Sequence, residues 1–136
     1  MTIMVENRIS EIERVGRLFG GFWAEHGLPP DLKNDVNLAL EEVLGNVILH
    51  AYRDEGEHQF QVRLSLENRE VKVEIEDDGA AFNPLEAPEP DISGPLRDRP
   101  IGGLGIHLVR RLMDRLEYRR EAGRNHLLLR KRLPSS

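Results

Sequence analysis

Three stretches of this chain carry residue types and spacings suited to holding a charged ligand. The first is NLALEEVLGNVILHAYR, residues 37–53, where Val36, Ala39, Leu40, Val43, Val47 and Ala51 recur at helical spacing. Glu42 and Asn46 stand four apart in it. At about 100° per residue, side chains four apart project side by side. Leu38 and Leu49 flank this polar window on one side, and Ala39, Val43 and Val47 flank it on the other. A carboxylate and a carboxamide between apolar stripes cost free energy to desolvate unless something pairs with them. A solvated or locally hydrogen-bonded boundary position is the plainer alternative. The second stretch is Asp77-Asp78-Gly79-Ala80-Ala81-Phe82, at the end of an alternating apolar run. The third is Gly102-Gly103-Leu104-Gly105-Ile106, at the start of a helical pattern. Glycines before a helix let backbone approach a ligand, and the helix N-terminus offers free N–H groups and positive dipole to phosphate. Taken singly, an Asp beside Gly is an ordinary turn and a Gly-rich junction is an ordinary tight connection.

The elements that must position these residues follow from periodicity. Thr2–Glu6 predicts a short edge strand, and Ser10 with Glu13 a capping box behind Ile9. Ile12, Val15, Gly16, Phe19, Phe22 and Trp23 continue a helical stripe to His26, stopped by Gly27 and Pro29-Pro30. Its aromatic residues read as core. Asp31 is expected to cap a second helix that runs through the polar window and ends near Tyr52–Gly56. Phe60, Val62, Leu64 and Leu66 share one strand face, and Val71, Val73 and Ile75 another, so the two strands predict a hairpin turning at Asn68–Glu70. Residues 83–101 hold Pro84, Pro88, Pro90, Pro95 and Pro100 and no period. A loop that long inside a compact domain is typically a functional lid or disordered. A third helix then buries Leu108, Val109, Leu112, Met113 and Leu116, and strands near 116–121 and 126–133 join at residues 122–125. No internal repeat is visible. The sum is one α+β domain over residues 1–136: a two-layer sandwich with a mixed, mostly antiparallel sheet and helices on one face.

Composition narrows the function classes. A chain of 136 residues with 39% hydrophobic and 32% charged residues is globular. A net charge of −5 without a dense Lys/Arg run disfavours nucleic acid. The absence of cysteine excludes disulfides and thiolate metal sites and fits a cytoplasmic home. No apolar run approaches the ~20 residues that span a bilayer, and no signal-peptide pattern opens the chain, so no membrane is expected.

An acid and amide at i, i+4, then an Asp-x-Gly turn, a proline-rich loop and a Gly-x-Gly helix start, in that order, resemble the GHKL (Bergerat-fold) ATPases, the superfamily of gyrase, Hsp90-type chaperones and histidine kinases. EEVLGNVILHAY, EDDGAAFNP and GGLGIHLVRRLMD look most like the anti-sigma factor serine/threonine kinases, and the resemblance covers nearly the whole chain. It implies ATP or ADP with Mg²⁺ as cofactors. Glu42 matches the acidic residue proposed as general base, and Asn46 the magnesium-ligand asparagine. Asp77 matches the acceptor of the adenine amino group, Gly79 lets the base lie close, and Phe82 lines its pocket. Gly103, Leu104, Gly105 and Ile106 match the second nucleotide motif, with 83–101 as ATP lid. Gly123 and Asn125 stand where the third motif has Gly followed by Thr, and Asn can still donate a hydrogen bond. Ala81 replaces a second glycine of the first nucleotide motif, which is expected to narrow the pocket slightly. His50 faces the same window and reads first as a hydrogen-bonded structural histidine. Arg97 and Arg99 could reach a γ-phosphate, with solvated loop arginines as the default.

The resemblance implies a protein serine/threonine kinase that phosphorylates a small anti-anti-sigma (STAS) protein and holds a sigma factor in check by partner switching, with a homodimer left open. The rival readings are a nucleotide-gated binding module without phosphoryl transfer and the catalytic part of a histidine kinase. Against the latter, these 136 residues are filled by the ATP fold, with no dimerisation helix carrying a phosphoacceptor histidine.

Overall fold

The computed structural model describes residues 1–52, 54, 56–83 and 103–134, with residues 103 and 104 described by their backbone alone. In chain order the elements are β1 (Thr2–Glu6), α1 (Ser10–Glu25), α2 (Pro30–Asn46) continued by a π-helical turn (Val47–Ala51), β2 (Gln59–Glu67), β3 (Glu70–Asp77), α3 (Gly103–Leu112), β4 (Arg115–Glu121) and β5 (Arg124–Arg132). The strands form one sheet in the order β1-β2-β3-β5-β4, so β1 is an edge as expected and β3 is central. Every pairing is antiparallel, so the expected α+β sandwich carries an antiparallel sheet throughout and no parallel pair among the described residues.

Strand alternation decides which face the helices cover. Val71, Val73, Ile75 and Asp77 of β3 point to the same side as Phe60, Val62 and Leu64 of β2 and Leu127 and Leu129 of β5. Val15, Phe19, Phe22 and Trp23 of α1, Val36, Ala39, Leu40, Val43 and Leu44 of α2, and Ile106 and Val109 of α3 complete one core against them. The aromatic stripe of α1 is core, as its spacing predicts. Its indole N–H is satisfied by the Pro29 carbonyl at 2.9 Å, which removes the cost of burying it. The opposite sheet face carries the charged residues, among them cross-strand pairs such as Arg130 with Glu70 at 3.0 Å.

Several local expectations are corrected. Ser10 and Glu13 form no capping box, because Ile9 is already helical (φ −56°, ψ −36°) and Ser10 falls inside the first turn. The carboxylate that matters there is Glu11, which accepts the Glu6 backbone N–H at 3.0 Å and pairs with Arg14 at 2.7 Å. Asp31 does not cap α2. Pro29 holds the cap position and Pro30 begins the helix, where its missing N–H costs nothing. On α3, Ile106 and Val109 are buried and Leu108 and Leu112 only partly so; Met113 is buried just past the helix end, and Leu116 belongs to β4. The β2–β3 turn needs only Asn68 and Arg69, both at positive φ (53° and 62°), with Glu70 already paired to Glu67. That is the primed turn that suits the twist of a hairpin.

Glu11 gives a pH prediction. Its hydrogen bond from Arg14, helped by the Glu6 N–H and the charges of Arg14 and Arg8, holds its carboxyl below the usual range despite burial. A depressed folded-state pKa means stabilisation present above the unfolded carboxylate range and lost as pH falls through the folded value. Glu11→Gln should therefore cost about 1 kcal/mol near neutral pH and flatten the acid limb of the stability curve. Urea denaturation between pH 3 and pH 7 measures both. An acid limb identical to that of the unmodified protein would show that Glu11 does not contribute.

Candidate functional site

A cavity opens between α2, the end of β3, the start of α3 and the β4–β5 hairpin. Val43, Val47, Ala51, Ile75, Ile106 and Leu127 supply apolar walls. Asn46, His50, Asp77, Tyr118 and Asn125 supply the polar groups, and Ala80 and Phe82 stand at the β3 end. The structure thus joins Asn46, Asp77, Phe82, Ile106 and Asn125 of the sequence-predicted set. Its volume is about 50 Å³, below the ~300 Å³ of common small-molecule sites. Phe82, 57% exposed, is a rim residue rather than a packed wall.

Helical spacing carries Glu42 and Asn46 to the same side of α2, as expected. Both are half-buried, and neither makes a hydrogen bond or ion pair among the described residues. Glu42 rests against α3: its Oε2 lies 2.5 Å from where a side chain at Gly105 would begin. The glycine at 105 thus gives room to a carboxylate of the chain itself. Gly103 starts α3, and Leu104 follows in its first turn.

Below Asn46 the helix loosens into the π turn Val47–Ala51. Insertions of this kind often sit at functional sites. Here the turn delivers the Ala51 carbonyl to the end of β3, where it accepts the Ala80 N–H at 2.8 Å. A β-carbon at Gly79 would stand 2.3 Å from that same Ala51 oxygen. Gly79 is therefore required by the approach of helix to strand, a reason different from the ligand contact expected of it. Ala81 is exposed and does not line the cavity, so the expected narrowing does not occur. His50 is exposed at the cavity mouth and makes no hydrogen bond among the described residues, which overturns its reading as a structural histidine. Gly123 (φ +76°), with Ala122 (φ 52°), forms the β4–β5 turn. Residues 84–101, with Arg97 and Arg99, lie outside the described residues.

Asp77 sits at the base of the cavity, 6% exposed. Its Oδ1 accepts from the Gly79 N–H and from Asn125 Nδ2, both at 2.9 Å. Oδ2 accepts no hydrogen bond among the described residues and is left as an acceptor toward the cavity. Asn125 is also buried, and its amide is fully used. Nδ2 donates to Asp77 and to the Ala80 carbonyl at 2.9 Å, while Oδ1 accepts the Tyr118 hydroxyl at 2.5 Å and lies 3.5 Å from the Phe82 N–H. Asn125 thus organises Asp77 instead of presenting a free donor. Tyr52 backs the same corner, stacked on His58 at 4.1 Å. Burial, then the charges of Asp77 and Asp78, push its phenol well above the usual range, so it stays neutral.

Sequence reasoning missed Tyr118 and Tyr52. The signal for Tyr118 was the two-residue Ala122-Gly123 turn. It pairs Glu121 with Arg124 and so Tyr118 with Leu127, one diagonal step from Asn125 on the same sheet face.

Chemically, an apolar slot with one unpartnered carboxylate oxygen at its base suits a planar ring bearing an amino donor. No group of three or more acidic or histidine side chains that could hold a metal occurs among the described residues. The Asn46 carboxamide offers an oxygen suited to a hard cation that takes its other ligands from water and phosphate, which is how Mg²⁺ is usually bound.

A model of the histidine kinase-like ATPase domain matches residues 5–131. The chain belongs to that family. The serine/threonine-protein kinase BtrW of Bordetella bronchiseptica is 34% identical over 113 residues, 79% of this chain and 80% of that protein. The serine-protein kinase RsbW of Bacillus mycoides is 27% identical over 107 residues, 75% of this chain and 66% of that one. Among solved structures, the RsbU and RsbW domains of Rv1364c from Mycobacterium tuberculosis superpose with a TM-score of 0.73 at 18% identity, covering all of this chain and 33% of that one. The histidine kinase domain of a blue-light activated kinase from Erythrobacter litoralis gives 0.58 at 20% identity, over 92% of this chain and 60% of that one. These two likenesses establish the fold, which together with the family match is that of a GHKL-type ATPase domain. No helix among the described residues is long and apolar enough to cross a membrane.

The two glycines predict opposite outcomes. Gly79→Ala places a methyl group on the Ala51 carbonyl and should cost at least ~2 kcal/mol, within the range of overpacking. Gly105→Ala meets only the tip of the Glu42 side chain, which can swing away, so stability should change by less than ~1 kcal/mol. Thermal and urea melts of both variants check this. Equal losses would mean that the helix–strand approach is softer than the geometry implies.

Proposed function

We propose that this chain is an ATP-dependent serine/threonine protein kinase that acts on an anti-anti-sigma (STAS) protein and restrains a sigma factor by partner switching. The observation that carries the reading is an apolar cavity lined by Asn46 and by Asp77, whose Oδ2 has no partner among the described residues, with the carboxylate of Glu42 one turn from Asn46 on the same helix and resting against Gly105. The kinase names of BtrW and RsbW support the reaction type. The donor set fits the nucleotide: the apolar slot takes the adenine ring and Asp77 Oδ2 accepts its amino hydrogen. The backbone of Gly103, Leu104 and Gly105 at the start of α3 would face the phosphates, since a helix N-terminus favours negative charge. Mg·ATP supplies the transferable phosphoryl group and its charge neutralisation when bound.

The chain's own residues do the rest. Asn46 would hold the metal through its carboxamide oxygen. Glu42, unpaired among the described residues and resting against Gly105, orients the incoming serine or threonine hydroxyl and accepts its proton at a carboxylate oxygen. Phe82 at the rim shields the ring from water. Such catalysis is positioning and electrostatics more than covalent chemistry. His50, exposed at the mouth, has no role in this step.

Incubation with γ-labelled ATP, Mg²⁺ and a STAS-domain protein tests the proposal. Mg·ADP or Mg·ATP should raise the melting temperature by mass action, and label should appear on a STAS serine or threonine. Glu42→Gln keeps shape and should keep nucleotide affinity while transfer falls by ~10²–10⁴-fold, the usual worth of a general base. Asn46→Ala should weaken metal-dependent nucleotide binding itself. A protein that binds ATP and switches partners but labels nothing, with Glu42→Gln unchanged, would be a nucleotide-gated binding module instead.

A further inference from the structure

The relay Tyr118–Asn125–Asp77 crosses three adjacent strands, β4, β5 and β3, on the helix-facing side of the sheet. Asp77 and Asn125 are direct register partners, and Tyr118 lies one diagonal step beyond. From this geometry we infer that Tyr118 is a specificity-determining positioning residue. Its hydroxyl fills the oxygen side of the Asn125 amide and so helps hold the orientation in which Asn125 donates to Asp77 Oδ1, which leaves Oδ2 as the acceptor that admits a 6-aminopurine and rejects a 6-oxopurine. The inference rests on the adenine-nucleotide reading of the cavity.

The argument is one of hydrogen-bond accounting. A carboxamide has two donor hydrogens and an oxygen with two lone pairs. Both donors of Asn125 are spent, on Asp77 Oδ1 and the Ala80 carbonyl. The oxygen must therefore face the two remaining neighbours, the Tyr118 hydroxyl and the Phe82 N–H. With the amide reversed, its oxygen would meet a carboxylate and a carbonyl, acceptor against acceptor, in a buried site where such mismatches are costly. Of the two neighbours that hold the oxygen, the Phe82 N–H is at the 3.5 Å limit and the Tyr118 hydroxyl is at 2.5 Å. Tyr118 is thus the tighter restraint. Because Asn125 and Gly79 both bind Oδ1, Asp77 keeps Oδ2 for a ligand. A carboxylate oxygen there attracts an exocyclic amine and repels an exocyclic carbonyl. If the Asn125 amide turned freely, its NH₂ could serve a carbonyl-bearing ring and the discrimination would soften. A site built around hydrogen bonds to one ring edge rejects analogues that leave its groups unpaired.

Tyr118 is half-buried on β4 and its ring lines the cavity, so Tyr118→Phe retains the ring and removes only the hydroxyl. The experiment measures dissociation constants of Mg·ADP and Mg·GDP by titration calorimetry for the unmodified protein, Tyr118→Phe, Asn125→Ala and the double variant. Tyr118→Phe should lower the ADP-to-GDP preference roughly tenfold, in line with the loss of one hydrogen bond that holds an amide, with the melting temperature of the free protein little changed. A merely structural tyrosine would weaken both nucleotides alike and leave their ratio intact. Since Tyr118 acts through Asn125, adding Tyr118→Phe to Asn125→Ala should not change the ratio further. An unmodified protein that prefers ADP, together with a Tyr118→Phe protein of unchanged ratio, overturns this inference and leaves the kinase reading standing. A folded, unmodified protein that binds neither nucleotide overturns both. Should Tyr118→Phe fold poorly, the ratio in Asn125→Ala alone decides, and an unchanged ratio there also overturns the relay.

Discussion

The approach of Ala51 to the Gly79–Ala80 corner is the constraint on which the site depends. The helix that carries Glu42 and Asn46 and the strand that carries Asp77 are distant in sequence, and each would be useless without the other. The π turn Val47–Ala51 brings the Ala51 carbonyl to the Ala80 N–H at 2.8 Å, and only a residue without a side chain fits at Gly79 beside it. Backbone groups at a helix end and a strand end both need partners. Here each satisfies the other, and the seam becomes the floor of the cavity. Arg120 ties the same corner to β4 by donating to the Gly79 carbonyl at 2.8 Å.

Around that seam the polar groups divide into two kinds. Asp77 Oδ1 and Asn125 are fully partnered inside the protein, at distances of 2.5 to 3.5 Å. Buried amides and carboxylates of this sort hold a geometry because any reorientation leaves an acceptor facing an acceptor. Among the described residues, Glu42, Asn46 and Asp77 Oδ2 have no hydrogen-bond or ion-pair partner; Asn46 and Asp77 line the cavity, and Glu42 is half-buried beside Gly105. The contrast separates scaffold from working groups more sharply than residue type does. Asn125 looks from its position like a ligand donor, yet both its hydrogens are committed to Asp77 and Ala80. His50 looks like scaffold, yet it stands exposed at the mouth.

The glycines teach the same lesson. Gly79 and Gly105 lie in motifs whose glycines invite a ligand-contact explanation. At Gly79 the space is filled by the Ala51 backbone, and at Gly105 by the Glu42 carboxylate. Gly105 thus couples the first turn of α3 to the side chain proposed to handle the substrate proton. A motif can therefore mark a site correctly while its residues act on the chain's own groups.

The sequence by itself determined the α+β class, the strands, the hairpins and the helix-facing positions, because alternation and helical spacing are local properties written in consecutive residues. It also determined that Glu42 and Asn46 share a helix face and that Asp77 closes a strand, and through the order of these motifs it pointed to the family. Helix starts were less legible. Ser10 and Asp31 carry capping side chains, but the turn out of β1 and the Pro29-Pro30 pair had already set the caps one and two residues earlier, at Ile9 and Pro29. Only the tertiary structure decided that Tyr118 locks Asn125, that Gly79 serves Ala51, and that Glu42 lies on Gly105. Those contacts join residues far apart in the chain, and their existence depends on strand register and on the π turn, each shifting side chains by a fraction of a helical turn or a single pairing step. Local spacing carries no record of such shifts, because the free energy that selects them is released only when the layers pack.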